Sequence, residues 1–208
     1  MRYAFNMTLR RLPAGDSALV QIADAALADA TRRGGEWLVC RRGCTQCCVG
    51  AFAINQVDAV RLQQGLADLE KTDPGRARRI RLRARAFIQR WSAEFPGNCE
   101  TGVLDEDPKA EDRFDDFAND EPCPVLDPQT GLCELYQARP MMCRMFGPPV
   151  RSDGGLAVCE LCFHGATDEQ IAACEMVFDP DDLESKLLAK VEKTTGAWGR
   201  TIVAFCVR

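Results

Sequence analysis

Histidine is nearly absent from this sequence, whereas cysteine is abundant. The 208 residues include one histidine, His164, and twelve cysteines. A histidine-rich metal site is therefore excluded, and a Ser-His-Asp catalytic set could use only this one imidazole. Any metal bound here would be held mainly by thiolates, which favour zinc, iron–sulfur clusters or copper(I) over magnesium or calcium.

Long apolar runs are also lacking, and we expect no secretory leader. No stretch approaches the roughly 18 apolar residues of a membrane span, and residues 1–13 contain no apolar core or cleavage site of secretory type. We therefore expect no membrane partner and a cytoplasmic location, where clustered cysteines are metal ligands more often than disulfides. A secreted disulfide protein is the alternative, and thiol counting in denaturant would reveal it.

Positive charge is not in excess, since 26 Lys and Arg stand against 31 Asp and Glu. The net charge of -5 argues against nucleic acid as the main partner. One basic feature remains, a predicted helix with seven arginines over residues 76–90. We interpret it as a solvated face, or one neutralised by the acidic segment 105–121, rather than as a nucleic-acid site.

Apolar periodicity and capping residues predict a mainly helical chain. Asp73 followed by Pro74 and Thr167 followed by Gln170 are typical helix starts. Residues 100–122 lack periodicity and are predicted to form an acidic loop. The predicted helices cover residues 16–33, 55–71, 74–95, 140–146, 167–178 and 179–194.

Two short strands are predicted at 124–126 and 132–136, joined in a β-hairpin by the turn-rich residues 127–131. The apolar tail 201–207 is predicted to form a strand. The expected fold class is α+β, mainly α, with helices around a small β-hairpin and cross-links through cysteine-ligated metal sites. We expect a single domain over residues 1–208.

The first cysteine group places four thiols within nine residues, Cys40-Arg-Arg-Gly-Cys44-Thr-Gln-Cys47-Cys48. In a helical or turn-like segment, Cys40, Cys44 and either Cys47 or Cys48 share one face. The two-residue gap between Cys44 and Cys47 lets one turn offer two thiolates to one metal. Adjacent side chains are expected to diverge, so Cys47 and Cys48 are predicted to reach different metals or different irons.

The second group is spread over the predicted hairpin and the segment after it. The hairpin would bring Cys123 and Cys133 together, with the next helix presenting Cys143 beside them, and a second two-residue knuckle follows. Arginines beside these positions could offset thiolate charge, namely Arg41, Arg42, Arg139 and Arg144. The predicted ligands are Cys40, Cys44, Cys47, Cys48, Cys123, Cys133, Cys143, Cys159 and Cys162.

The remaining cysteines are interpreted differently. Cys174 and Cys206 lie among apolar residues and are predicted to pack in the core as small hydrophobic side chains. Cys99 follows a Pro-Gly break and is left undecided. His164, two residues after Cys162, is interpreted as a surface residue rather than a ligand.

The two cysteine groups resemble the YkgJ-type cysteine-cluster family of zinc- or iron-chelating proteins. The resemblance rests on residues 39–48 and on Cys123-Pro124, Cys133, Arg139-Pro140 and Cys143-Arg144, and it covers roughly residues 38–165. It implies a metal-binding core and metal chelation as the function. One departure is that three residues separate Cys40 from Cys44, where the family pattern has two.

An enzymatic role is the competing hypothesis. A flagellin lysine N-methylase carries a similar cluster, so the resemblance allows an iron–sulfur enzyme acting in protein modification. The spacing Cys40-x3-Cys44-x2-Cys47 is also that of radical S-adenosylmethionine enzymes. However, no alternating strand–helix series for a barrel is visible. The sequence therefore favours a cysteine-cluster metal-binding protein holding zinc or an iron–sulfur cluster.

Overall fold

The computed structural model describes residues 11–41, 43–152 and 154–208. Over these residues the protein is mainly helical, with short 3-10 turns and three two-stranded antiparallel sheets. The predicted α+β, mainly α class is confirmed. Within the described ranges, no helix has both the length and the apolar character needed to cross a membrane.

The secondary structure elements follow one another closely along the chain. In chain order they are α1 (Asp16–Gly34), β1 (Ala53–Ile54), α2 (Gln56–Thr72), α3 (Pro74–Trp91), β2 (Gly97–Asn98), β3 (Val103–Leu104), α4 (Pro108–Asp115), α5 (Met141–Met145), β4 (Val150–Ser152), β5 (Gly155–Ala157), α6 (Asp168–Ala172), α7 (Leu183–Thr195), β6 (Thr201–Ile202) and α8 (Val203–Cys206). The sheets pair β1 with β6, β2 with β3 and β4 with β5.

The residues group into two compact units. The first unit contains Thr45–Pro140 and Leu188–Arg208, and the second contains Pro13–Cys44 and Met141–Leu187. The single domain over residues 1–208 and the metal-binding core at 38–165 both stay predictions.

Side-chain caps start α2 and α3 where the sequence predicted them, whereas α1 begins after Gly15 without a side-chain cap. The Asn55 side chain accepts the N–H groups of Val57 and Asp58 at 3.0 Å each and begins α2. Asp73 accepts the N–H of Arg76 at 2.9 Å and begins α3. These contacts satisfy N–H groups that have no partner inside the helix.

Three predictions from the apolar pattern were wrong. The helix predicted over 167–178 ends at Ala172. The segment 100–122 is not a loop throughout, because Asp107 caps α4 by accepting the N–H groups of Lys109 and Ala110. The tail is a strand only as far as Ile202 and then turns into α8. Every residue of α8 is buried, and a short apolar run buried on all sides does not distinguish strand from helix.

The core of the first unit lies where α2, α3 and α8 pack together. Cys123 and Cys133 pack against this core, which includes Leu62, Ile80 and Val125. Gly65 of α2 permits a close approach to the 3-10 turn Tyr136–Ala138, since a Cβ on Gly65 would lie 2.3 Å from the Ala138 Cβ. The segment that follows Cys133 is therefore fixed tightly against a buried helix.

The second unit has a small core of its own. Leu38, Cys162, Phe163 and Cys174 are buried together, and α1 packs against α5. The N–H of Phe163 donates to the carbonyl oxygen of Trp37 at 2.8 Å. This bond joins the segment before Cys40 to the segment that carries Cys162.

Candidate metal centre

The predicted ligands are divided between the two units. None of the twelve cysteines, all of which lie within the described residues, forms a disulfide. We refer to the cysteines in the first unit as the first-unit set and to those in the second as the second-unit set. The first-unit set is Cys47, Cys48, Cys123 and Cys133. The second-unit set is Cys40, Cys44, Cys143, Cys159 and Cys162.

Backbone hydrogen bonds bring the two sequence motifs of the first-unit set together. Cys48 ends the 3-10 turn Gln46–Cys48. The N–H of Cys123 donates to the carbonyl oxygen of Cys48 at 2.7 Å. Next to this bond, Val49 and Pro122 form an isolated antiparallel bridge. Cysteines far apart in the sequence are thus neighbours in the first unit.

A tight turn brings Cys133 into the same set. The N–H of Asp127 donates to the carbonyl oxygen of Leu132 at 2.9 Å, and Leu126 forms a single antiparallel bridge with Cys133. The predicted strands at 124–126 and 132–136 were therefore wrong, although the two segments do meet. The paired strands lie elsewhere, in the sheets described above.

A bond within the first segment explains the missing strands. The N–H of Leu126 donates to the carbonyl oxygen of Cys123 at 2.9 Å, inside its own segment, and such an N–H does not extend a ladder to the facing segment. Backbone N–H groups also partly offset the rise in pKa that burial causes, those of Val125 and Leu126 at Cys123 and that of Leu135 at Cys133. Hydrogen bonds of this kind surround the sulfur atoms of metal-bound cysteines and tune the metal.

The adjacent thiols of Cys47 and Cys48 contact each other, so the expectation that they diverge was wrong. The Cys48 thiol donates a hydrogen bond to the Cys47 sulfur, and this contact lowers the pKa of Cys47 to about 7. The same contact raises the pKa of Cys48 above its ordinary value. Burial raises the pKa of Cys123 to about 12 and also raises the pKa of Cys133.

A guanidinium group lies beside the first-unit set. Arg139 is 7% exposed, stacks on the Tyr136 ring at 3.9 Å from its centroid, and donates to the Tyr136 carbonyl oxygen at 2.9 Å. Its charge adds to the lowering of the Cys47 pKa that the Cys48 contact causes, and it opposes the rise that burial causes in the pKa of Cys133. The predicted role of Arg139 in offsetting thiolate charge therefore has an electrostatic basis.

The other arginines that the sequence analysis named differ from Arg139. Arg144 is fully buried and pairs with Asp24 at 2.6 Å in the second unit. Arg41 is exposed, and Arg42 lies outside the described residues. In the second unit, the charge of Arg144 is thus matched by a carboxylate.

The second-unit set is organised around the knuckle Cys159–Cys162. The N–H of Cys162 donates to the Cys159 carbonyl oxygen at 2.9 Å, and the two thiols also hydrogen-bond. The Cys162 sulfur accepts the backbone N–H groups of Val39 and Cys40. Burial and, to a smaller extent, the negative charge of Cys159 raise the pKa of Cys162. Cys40 therefore lies on the segment that faces this knuckle.

The other members of the second-unit set are half-buried. Cys143 lies in α5, which packs against α1. Cys44 ends a turn in which its N–H donates to the Arg41 carbonyl oxygen at 2.9 Å.

A comparison with protein families identifies the domain. The family model CxxCxxCC, described as "Putative zinc- or iron-chelating domain", matches residues 39–162, which is more than half of the chain. The chain belongs to this CxxCxxCC family. The resemblance found in the sequence is therefore confirmed. No curated protein and no solved structure matches the chain.

The CxxCxxCC match contains all nine predicted ligands, from Cys40 to Cys162. The longer spacing between Cys40 and Cys44 is accommodated by the turn that ends at Cys44, where Gly43 has φ +89°. Only glycine adopts such a conformation at little cost. The extra residue of this family member is thus absorbed in a local turn.

Two cysteines outside the CxxCxxCC match lie in the core, as predicted. Cys174 is 3% exposed and Cys206 is 6% exposed. Cys99, inside the match, donates its thiol hydrogen to the Ser92 carbonyl oxygen at 2.9 Å. His164 is exposed, in agreement with its interpretation as a surface residue.

The donor chemistry of the first-unit set fits zinc or iron, although its side chains do not yet converge. Within the described ranges, no three Cys, His, Asp or Glu side chains are arranged to hold a metal ion. The bond from Cys123 to the Cys48 carbonyl oxygen and the bridge between Leu126 and Cys133 nevertheless bring the segments of this set together. A tetrahedral zinc site, with Zn–S of about 2.3 Å, needs sulfur atoms about 3.8 Å apart. The four sulfur atoms would have to converge to that spacing for the set to close around one ion.

The basic face of α3 is largely paired within the first unit. Arg81 makes two hydrogen bonds to Glu70, at 2.9 and 2.8 Å, and Arg90 pairs with Glu121 of the acidic segment at 2.6 Å. Arg76 and Arg83 both pair with Glu134. These carboxylates support the interpretation of a neutralised face, and the absence of a nucleic-acid partner stays a prediction.

Proposed function

We propose that this CxxCxxCC protein binds one zinc ion through the thiolates of the first-unit set. The observation that carries the proposal is the hydrogen bond between the adjacent thiols of Cys47 and Cys48, beside the backbone contact of Cys48 with Cys123. Thiols in contact suit a single tetrahedral ion. In a four-iron cluster, each thiolate binds a different iron, and the sulfur atoms lie farther apart.

The role that follows is chelation and structural support. A zinc ion with four thiolate ligands has no open position for substrate, so it stabilises the fold without taking part in a reaction. The ion would join Cys47 and Cys48 to the distant Cys123 and Cys133. The second-unit set is proposed as a further group of ligands, supported by the N–H groups that point at the Cys162 sulfur. A reducing cytoplasm would keep these thiols free.

Anaerobic purification of the full chain, followed by metal analysis and a visible spectrum, tests the proposal. We expect a colourless protein with zinc. Titration of the metal-free, reduced protein with zinc against a competing chromophoric chelator should show tight binding that Cys123→Ser and Cys133→Ser weaken strongly. Cys99→Ser is the matched control, because its sulfur contacts Ser92 rather than another thiol.

Two results would reject the zinc assignment. A brown protein with matching iron and acid-labile sulfide would establish an iron–sulfur cluster and return the enzymatic hypothesis to consideration. A protein that binds neither metal, with every thiol reactive, would show that this member of the family does not chelate.

A further inference from the structure

A buried carboxylate lies directly beside a cysteine of the first-unit set. The Glu134 side chain is 4% exposed and pairs with two arginines of α3. Arg76 Nε lies 3.1 Å from Glu134 Oε1, and Arg83 Nη2 donates to Glu134 Oε2. Arg76 and Arg83 are seven residues apart and therefore share one face of the helix. A carboxylate this inaccessible requires such partners.

The guanidinium of Arg83 also contacts the loop that contains Cys123. Arg83 Nε donates to the carbonyl oxygen of Pro124 at 2.8 Å. Pro124 follows Cys123 in the sequence, just as Glu134 follows Cys133. One side chain therefore contacts the residue after each of the two cysteines. The N–H of Glu134 adds a direct link between the loops by donating to the Val125 carbonyl oxygen at 2.9 Å.

We infer that Arg83 and Glu134 are positioning residues that hold Cys123 and Cys133 at a fixed separation for metal binding, an inference that rests on the proposed function. Ion pairs on exposed surfaces contribute little, but here the carboxylate is enclosed and the guanidinium fork spans two ligand loops. Metal sites commonly depend on such outer residues, whose replacement weakens metal binding 10–100-fold. Arg76 supplies a second charged partner that holds the Glu134 carboxylate in place.

The test uses Glu134→Gln and Arg83→Lys in the full chain. Both variants keep the side-chain size nearly unchanged, but the first removes the charge and the second removes the planar fork. Arg81→Lys is the matched control, since Arg81 lies on the same helix and forms a two-bond pair with the exposed Glu70. Zinc affinity is measured by chelator competition, at a temperature where circular dichroism shows each protein folded.

We expect Glu134→Gln and Arg83→Lys to bind zinc about 10–100-fold more weakly than wild type, and Arg81→Lys to bind like wild type. Cobalt(II) replaces zinc in a parallel titration, because its visible spectrum reports the number and geometry of thiolate ligands. A positioning role predicts an altered cobalt spectrum in both variants. A role in stability alone would leave the spectrum of the folded, metal-bound protein unchanged.

The direction of the change in zinc affinity also distinguishes a positioning role of Glu134 from an effect of its charge alone. The negative charge of Glu134 disfavours the Cys133 thiolate, so removing that charge alone would strengthen binding. Tighter or unchanged binding by Glu134→Gln, with wild type binding normally, would overturn the inference and leave the proposed function intact. Failure of wild type to bind zinc or cobalt would instead reject the proposed function. If Glu134→Gln does not fold, Arg83→Lys decides the question on the same two readouts.

Discussion

The backbone N–H of Cys123 donates to the carbonyl oxygen of Cys48 at 2.7 Å. This bond joins the end of the first cysteine motif to the start of the second without using either sulfur atom. The thiols thus remain available as ligands while the backbone sets the distance between their chain segments. The backbone contact therefore places the two ligand segments side by side independently of any bond to sulfur.

We predict that zinc stabilises the chain through the first-unit set. A ligand that binds only the folded state adds about 2.7 kcal/mol when its free concentration is a hundredfold above the dissociation constant. Urea unfolding of the reduced protein, with buffered zinc and with chelator, should show this difference in free energy of unfolding.

Two serine variants give this prediction its controls. Cys123→Ser should show a smaller zinc effect than wild type, because the first-unit set has lost a ligand while the second-unit set is intact. Cys99→Ser should keep the full zinc effect. An equal zinc effect in both variants would contradict the assignment of ligands.

We predict that Cys47 is the most rapidly alkylated member of the first-unit set when metal is absent. Its pKa of about 7 leaves about half of the side chain ionised at neutral pH. Burial raises the pKa of Cys123 to about 12, so its thiolate is almost absent there. Iodoacetamide labelling followed by peptide mass spectrometry should show the Cys47 rate rising with pH to a plateau above pH 7. A Cys47 rate that still climbs tenfold per unit from pH 8 to 9 would contradict the lowered pKa.

The fold class and the helix starts were predictable because they depend on local signals. Asn55 and Asp73 cap helices through their own side chains, and such contacts involve neighbours in the sequence. Helix α4 was missed even though Asp107-Pro108 repeats the signal of Asp73-Pro74. Only Ala110 of α4 is buried, so the helix has almost no apolar stripe to reveal it.

The ligand candidates were predictable from cysteine spacing, but the contacts that hold them were not. In the sequence, the arginines of α3 form one basic face. No local sequence signal distinguishes Arg83, which binds the ligand loops, from Arg81, which binds the exposed Glu70. That distinction depends on which loop packs on which turn of the helix. The hairpin was wrong for a related reason, because the N–H of Leu126 donates to the Cys123 carbonyl oxygen within its own segment.

We predict that Cys206 makes the metal-free protein sensitive to alkaline pH. Burial raises the pKa of this thiol from 9.0 to about 12. The unfolded chain releases the thiol proton near pH 9, whereas the folded chain retains it. The stability that depends on this difference is therefore complete below pH 9 and is lost between pH 9 and 12, at up to about 1.4 kcal/mol per pH unit.

The comparison of Cys206→Ala with wild type isolates this effect. The cavity left by the substitution costs a similar free energy at every pH, whereas the titration contributes only above pH 9. Urea unfolding from pH 8 to 11 should therefore show a shallower decline of stability for Cys206→Ala. Parallel declines for the two proteins would show that Cys206 ionises normally.

We predict that Gly65→Ala destabilises the protein, although alanine normally favours a helix over glycine by about 1 kcal/mol. The added Cβ would lie 2.3 Å from the Ala138 Cβ, and overpacking of this kind costs about 1–3 kcal/mol. Gly75→Ala in α3 is the matched control, because its Cβ would be 3.4 Å from Asp73 Oδ1. Ala138 directly precedes Arg139, so Gly65→Ala should also weaken zinc binding by displacing the guanidinium beside Cys47. Equal stability and zinc affinity in the two alanine variants would show that the turn moves freely away from α2.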